Sequence, residues 1–207
     1  MPSPPTPSRL ESFSDGVIAV IITIMVLEFK VPHADGPAGM LSMLPTFAVY
    51  LLSFVFTGIY WVNHHHLVGR LKRVDSLILW SNLAFLFTLS LLPFFTNYLV
   101  EKGVHAFPVA LYAVSQLLDG ITFTLLSKAL LRHIRHAGSI YDDNEAQEQV
   151  AENKKAFISL AMYLIAIPTA YWRPWPALIL IAAVTLVWIV PTFGIKPIQY
   201  EPLRPNH

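Results

Sequence analysis

Asp15, Thr23, Asp119 and the run His64-His65-His66 are the side chains best suited to chemistry in this chain, and all lie within or beside long apolar stretches. A carboxylate or imidazole at membrane depth is costly to desolvate, so such groups pair with one another, line a wet path or relay protons. A threonine hydroxyl can replace part of a cation's hydration shell. Consecutive residues on a helix point about 100° apart, so three histidines in a row cannot converge on one ion, and no metal site is expected. For Asp119 the expectation is a hydrogen bond between helices. No Gly-x-Ser-x-Gly elbow, His-Glu-x-x-His helix or phosphate-cradling glycine loop is present, so neither an enzyme nor a cofactor is expected. The Thr-Val-Gly-Tyr-Gly carbonyl filter of ordinary potassium channels is also missing.

The elements that must position these groups are membrane helices. Of 207 residues, 55% are hydrophobic and only 13% are charged, with a mean hydropathy of +0.54. That balance belongs to a multi-span helical protein rather than a soluble domain. The net charge of +1 supplies no basic field for nucleic acid. With no cysteine, disulfides, thiolate metal sites and a cysteine nucleophile are ruled out. Uncharged stretches over 40–62 and 76–100 each exceed the roughly 20 residues a spanning helix needs. Residues 174–195 form a third span, and 156–172 a shorter one bounded by Lys154, Lys155 and Arg173. Residues 106–131 span if Asp119 and Lys128 are tolerated, with Gln116, Asp119 and Ser127 making a polar edge turned toward other protein. Residues 1–7 read as a disordered arm, 8–196 as the transmembrane domain and 197–207 as a tail. The acidic stretch with Asp142, Asp143, Glu145, Glu148 and Glu152 lacks the spacing and glycine of a calcium loop and reads as a solvated helix extension or loop.

The first helix is the weakest span by hydropathy, since 16–27 supplies only twelve uninterrupted uncharged residues. Ser8-Arg9-Leu10-Glu11 and Ser12-Phe13-Ser14-Asp15 both fit a capping box, and a start at Ser8 makes the helix long enough to cross. On that helix Gly16, Val20, Thr23 and Leu27 fall on one narrow stripe. Asp15, Ala19, Ile22 and Val26 form another about a quarter-turn away. Asp15 therefore points into the protein body if Thr23 lines a path.

Arg9, Phe13, Ser14, Asp15, Ala19, Thr23, Leu27 and Glu28 match an Arg-x-x-x-Phe-Ser-Asp signature helix, and Tyr60-Trp61, the following histidines, Asp75, Asn82 and Leu92-Pro93-Phe94 extend the match. On these residues the chain resembles bacterial relatives of the lysosomal potassium channel, the transmembrane protein 175 family. The resemblance makes 9–28 a full span and brings the expected count to six. It implies an all-α homotetramer whose first helices line a central pore, with Val20 and Leu27 as hydrophobic constrictions and Thr23 as a hydroxyl layer. It also implies potassium ions as the permeant species and a structural role for Arg9, Phe13, Ser14 and Asp15. Trp61, His64 or His65, and Asn82 are expected to complete a buried polar network around Asp15.

Six spans put both termini on one side. Eleven of the fourteen Lys and Arg residues then share that side, which marks it as cytoplasmic in a plasma-membrane protein. The expected activity is passive potassium conduction with modest discrimination against sodium, since side chains rather than fixed carbonyls make the constriction. The alternative is a proton-coupled secondary transporter using Asp15, Asp119 and the histidines. Against it, no inverted repeat and no matching pair of broken helices is visible.

Overall fold

A computed structural model describes residues 6–136 and 143–192, with side chains for 6–133 and 152–189. Residues 1–5, the linker 137–142 with Asp142, and 193–207, which include the end of the expected 174–195 span and the tail 197–207, lie outside the described residues. The described chain is all helical: α1 (Pro7–Leu27), α2 (Gly36–Ser42), α3 (Leu44–Val68), α4 (Ser76–Ser90), α5 (Leu92–Lys102), α6 (Ala106–His136), α7 (Asp143–Trp172) and α8 (Pro174–Thr192).

Helix α1 begins ahead of both expected caps. Thr6 is the extended N-cap residue, Pro7 takes the first helical position, and the Thr6 carbonyl accepts from the Arg9 and Leu10 amides. Proline has no N–H to leave unpaired there, and its fixed φ suits a helix start. Neither serine caps. The Ser12 hydroxyl instead donates to the Ser8 carbonyl from inside the helix, at 2.9 Å. The resulting 21 residues rise about 30 Å, the thickness of a hydrocarbon core.

Prolines also divide two of the expected spans. The 40–62 stretch is split at Met43, where α2 ends and α3 begins with Pro45 in its first turn; α3 then continues through the histidines to Val68. The 76–100 stretch is split at Leu91 by Pro93. Asp75 caps α4 by accepting from the Ile78 amide at 2.8 Å, and Asp35 caps α2 by accepting from Gly36 at 2.7 Å. At the far end of α5, Gly103 closes the helix at φ 75°, a positive φ that glycine adopts without strain. Lys30, in the loop after α1, donates to Glu101 near that end, and this bond holds the Lys30 amine above its ordinary pKa.

Five segments are long and apolar enough to cross a membrane: Pro7–Leu27, Leu44–Val68, Ser76–Lys102, Ala106–His133 and Glu152–Trp172, while Pro174–Ile189 is a shorter apolar helix. The chain is thus a multi-pass membrane protein. Helix α6 is the central post, in contact with α3, α4, α5, α7 and α8. Its neighbours bury Tyr112, Tyr163 and Phe85, and the Tyr60, Phe85 and Phe123 rings meet at 5.1–5.5 Å. Among the described residues, helix α1 lies at the margin and packs chiefly on α3, α4 and α5. That position leaves one of its faces without a partner.

Candidate functional site

The two faces of α1 follow directly from its sequence. Leu10, Ser14, Ile18, Ile21 and Met25, spaced three and four apart, are buried against the bundle. Gly16, Val20, Thr23 and Leu27 lie on the opposite side and are exposed, Val20 at 54% and Leu27 at 81%. The stripe isolated from helical spacing is therefore the unpartnered face. The Thr23 hydroxyl donates to the Val20 carbonyl at 2.9 Å. Its proton being engaged with the backbone, its oxygen lone pairs remain available to a cation. Beside the stripe, a groove of about 690 Å³ runs between Phe13, Gly16, Val20 and Ile24 of α1 and Pro93 and Phe94 of α5.

The expected polar network is divided into separate contacts. In the interior, Asn82 on α4 donates to Ser14 at 3.0 Å, while its carbonyl oxygen meets His64 Nε2 at 2.8 Å. All three residues are fully or almost fully buried. Nearer the surface, Trp61 Nε1 donates to Asp15 Oδ1 at 2.8 Å. One turn further along both helices, His65 Nδ1 meets Glu11 Oε1, also at 2.8 Å, and the Trp61 and His65 rings stack at 5.9 Å. Two neighbouring residues of α3 thus grip two neighbouring residues of α1. Arg9 and Phe13 take no part: Arg9 is exposed with no ion pair among the described residues, and Phe13 lines the groove. The three histidines diverge, His64 inward to Asn82, His65 to Glu11 and His66 to the surface.

Sequence reasoning missed the Glu11–His65 pair and the approach of His133 Nδ1 to Asp75, at 3.3 Å. Glu11 and Asp15 stand four apart on α1, as do Trp61 and His65 on α3. That matched spacing was the available signal for a ladder of contacts between the helices.

Asp119 is fully buried in α6 and faces the Thr88 hydroxyl of α4, the kind of interhelical contact expected of it. The contact is not a well-formed bond: among the described residues neither carboxylate oxygen has a hydrogen-bond partner of good geometry, nor do the side-chain polar atoms of Gln116 one turn before it. Among the described residues no group of three or more potential metal ligands occurs.

The chain has counterparts among known proteins. The family model described as the endosomal/lysosomal potassium channel TMEM175 matches residues 9–93, which hold all but the first two residues of α1 and its anchors on α3 and α4. A potassium channel of Chryseobacterium is 40% identical over 186 residues, covering 90% of this chain and 94% of that one. One from Streptomyces collinus is 36% identical over 142 residues, covering 65% and 67%. The structure is similar to the crystal structure of a lysosomal potassium-selective channel TMEM175 homologue from Chamaesiphon minutus, with a TM-score of 0.74 and 27% identity over 90% of this chain and 97% of that one. The matching family model, the 40% identical relative covered over 94% of its length and the similar crystal structure show that the chain belongs to the TMEM175 family of ion channels.

Proposed function

We propose that this protein is a potassium-permeable cation channel that conducts passively through a pore lined by α1 from the four subunits of a homotetramer. The observation that carries this reading is the unpartnered α1 face, with Val20 and Leu27 exposed and Thr23 between them. One subunit offers only one wall, so an enclosed path requires copies. In the assembled pore, rings of Val20 and Leu27 exclude water and impose a dehydration barrier, and four Thr23 oxygens form an acceptor layer between them. A hydroxyl dipole is weaker than a fixed carbonyl stack, so potassium is preferred over sodium modestly, and rubidium and caesium also pass. No cofactor is needed.

Asp15 holds the pore helix in place and lies outside the ion path, a role supported by its bond from Trp61. Six helices cross the plasma membrane, α8 being the sixth. Both termini are cytoplasmic, which the distribution of Lys and Arg supports.

Reversal potentials of purified protein in a planar bilayer test the proposal. A channel gives a potential set by the potassium gradient, a coupled carrier shifts with its driving ion, and an assembly protein gives no current.

A further inference from the structure

A second polar path runs through the subunit, away from the exposed face of α1. It starts at a small cleft of about 20 Å³, lined by Glu28, Tyr50, Thr96 and Asn97 among others, which has room for about one water molecule. From Thr96 on α5 a hydroxyl contact of 2.8 Å leads to Ser53 on α3. A second, also 2.8 Å, leads from Ser53 to Tyr112 on α6. Each hydroxyl can both donate and accept, so the chain can pass a proton by rotation. One helical turn beyond Tyr112 stands Gln116, and one turn beyond that Asp119, on the same side of α6.

The path ends on atoms whose bonding is incomplete. Gln116 and Asp119 are fully buried; by bond length and angle four of their polar atoms have no hydrogen-bond partner among the described residues, and the hydroxyls that bear on them are Tyr112 on Gln116 and Thr88 on Asp119. Tyrosine hydroxyls lie within electrostatic reach of Asp119: Tyr60 from α3, Tyr112 from α6 itself and Tyr163 from α7. From α4 comes the Thr88 hydroxyl, bonded to Thr122 at 2.9 Å. No lysine or arginine is buried among the described residues. The buried histidine, His64, is committed to Asn82. A charge is not sustained in an apolar interior without a counter-ion, and these elements offer none.

We infer that Asp119 is a proton-binding site, reached from the Glu28-end cleft through Thr96, Ser53 and Tyr112. The proton comes from water in the cleft. It converts the carboxylate to a carboxylic acid whose O–H donates to Gln116 Oε1, giving partners to two of the unpaired atoms at once. The site is separate from the α1 stripe and does not rest on the pore assignment.

Infrared spectroscopy of the reconstituted full chain tests this. The wild type should show the carbonyl band of a dehydrated carboxylic acid, shifting on transfer to deuterium oxide, and Asp119→Asn should lose it. Should Asp119→Asn fail to fold, Asp119→Glu keeps the acid and should move the band. Ser53→Ala interrupts the hydroxyl chain without touching Asp119, so the band should remain and its deuterium shift should slow several-fold. A wild-type spectrum that persists in Asp119→Asn, or a band unmoved by Asp119→Glu, overturns the site. Unchanged exchange in Ser53→Ala overturns the route.

Discussion

Replacing Asn82 with alanine probes the buried polar anchor between α1 and the bundle, and the structure specifies where the cost falls. Asn82 serves two neighbours, Ser14 at 3.0 Å and His64 at 2.8 Å. Ser14 loses little, because its hydroxyl keeps the Leu10 carbonyl at 2.9 Å. His64 loses everything, since its Nδ1 already has no partner and its Nε2 has only Asn82. Stranding a buried polar group costs about 1 to 3 kcal/mol. An interhelical hydrogen bond in a membrane protein adds about 0.6 kcal/mol on average. Asn82→Ala should therefore destabilise by about 2 to 3 kcal/mol. His64→Phe strands the Asn82 carbonyl oxygen in turn and should also be costly, although the new ring can keep the stacking on Phe85, whose centroid lies 6.2 Å from that of His64. In the double variant no imidazole and no amide remains to be stranded. Its loss should fall short of the sum of the single losses by about 1 kcal/mol or more, a coupling readable in a double-mutant cycle. Reversible unfolding in mixed micelles, titrated with denaturing detergent and followed by circular dichroism, gives all the required values. Additivity within about 0.5 kcal/mol would refute the reasoning, because it would mean that the two side chains do not depend on each other.

Other perturbations follow from the same geometry. Trp61→Phe and Asp15→Ala each break the same bond, so each should cost about 1 kcal/mol in that titration, and the double variant should be no worse than either; a far larger loss for Asp15→Ala would give Asp15 another role. Val20→Ala and Leu27→Ala should raise single-channel conductance and blur ion selection, and unchanged conductance with both replaced would move the pore elsewhere. Thr23→Val keeps size and branching but deletes the acceptor, so it should reduce the potassium-to-sodium permeability ratio while leaving assembly intact by size-exclusion chromatography. A wild-type ratio in that variant would make Thr23 a packing residue.

The all-helical, multi-span architecture was legible in the sequence because it follows from hydropathy and length. The 3.6-residue repeat separated Gly16, Val20, Thr23 and Leu27 from Asp15, Ala19, Ile22 and Val26; Ala19 and Val26 are exposed too, and the bundle instead buries Leu10, Ser14, Ile18, Ile21 and Met25. Boundaries were less legible where local rules compete. Ser8 and Ser12 both satisfied a capping pattern, yet Pro7 at the first helical position moved the start ahead of them. Pro45 and Pro93 divided stretches that hydropathy alone joined. Tertiary pairings were partly legible. Ser14, Asn82 and His64 could be grouped through the family pattern, whereas the assignment of His65 to Glu11 depends on the offset between α1 and α3, which no single-helix period encodes. Asp119 resisted for the opposite reason. A buried carboxylate predicts a strong partner, and the described bundle offers only the Thr88 hydroxyl without a well-formed bond.

The absence of native cysteine makes the central claim directly testable, since any introduced thiol is the sole one in the chain. Val20→Cys, Thr23→Cys and Leu27→Cys, with Ile18→Cys and Ile21→Cys as buried comparisons, should be recorded in bilayers before and after a small cationic thiol reagent. A pore lined by the α1 stripe predicts block at 20, 23 and 27 and silence at 18 and 21. Current untouched at all three stripe positions, or blocked equally at the buried pair, would contradict it.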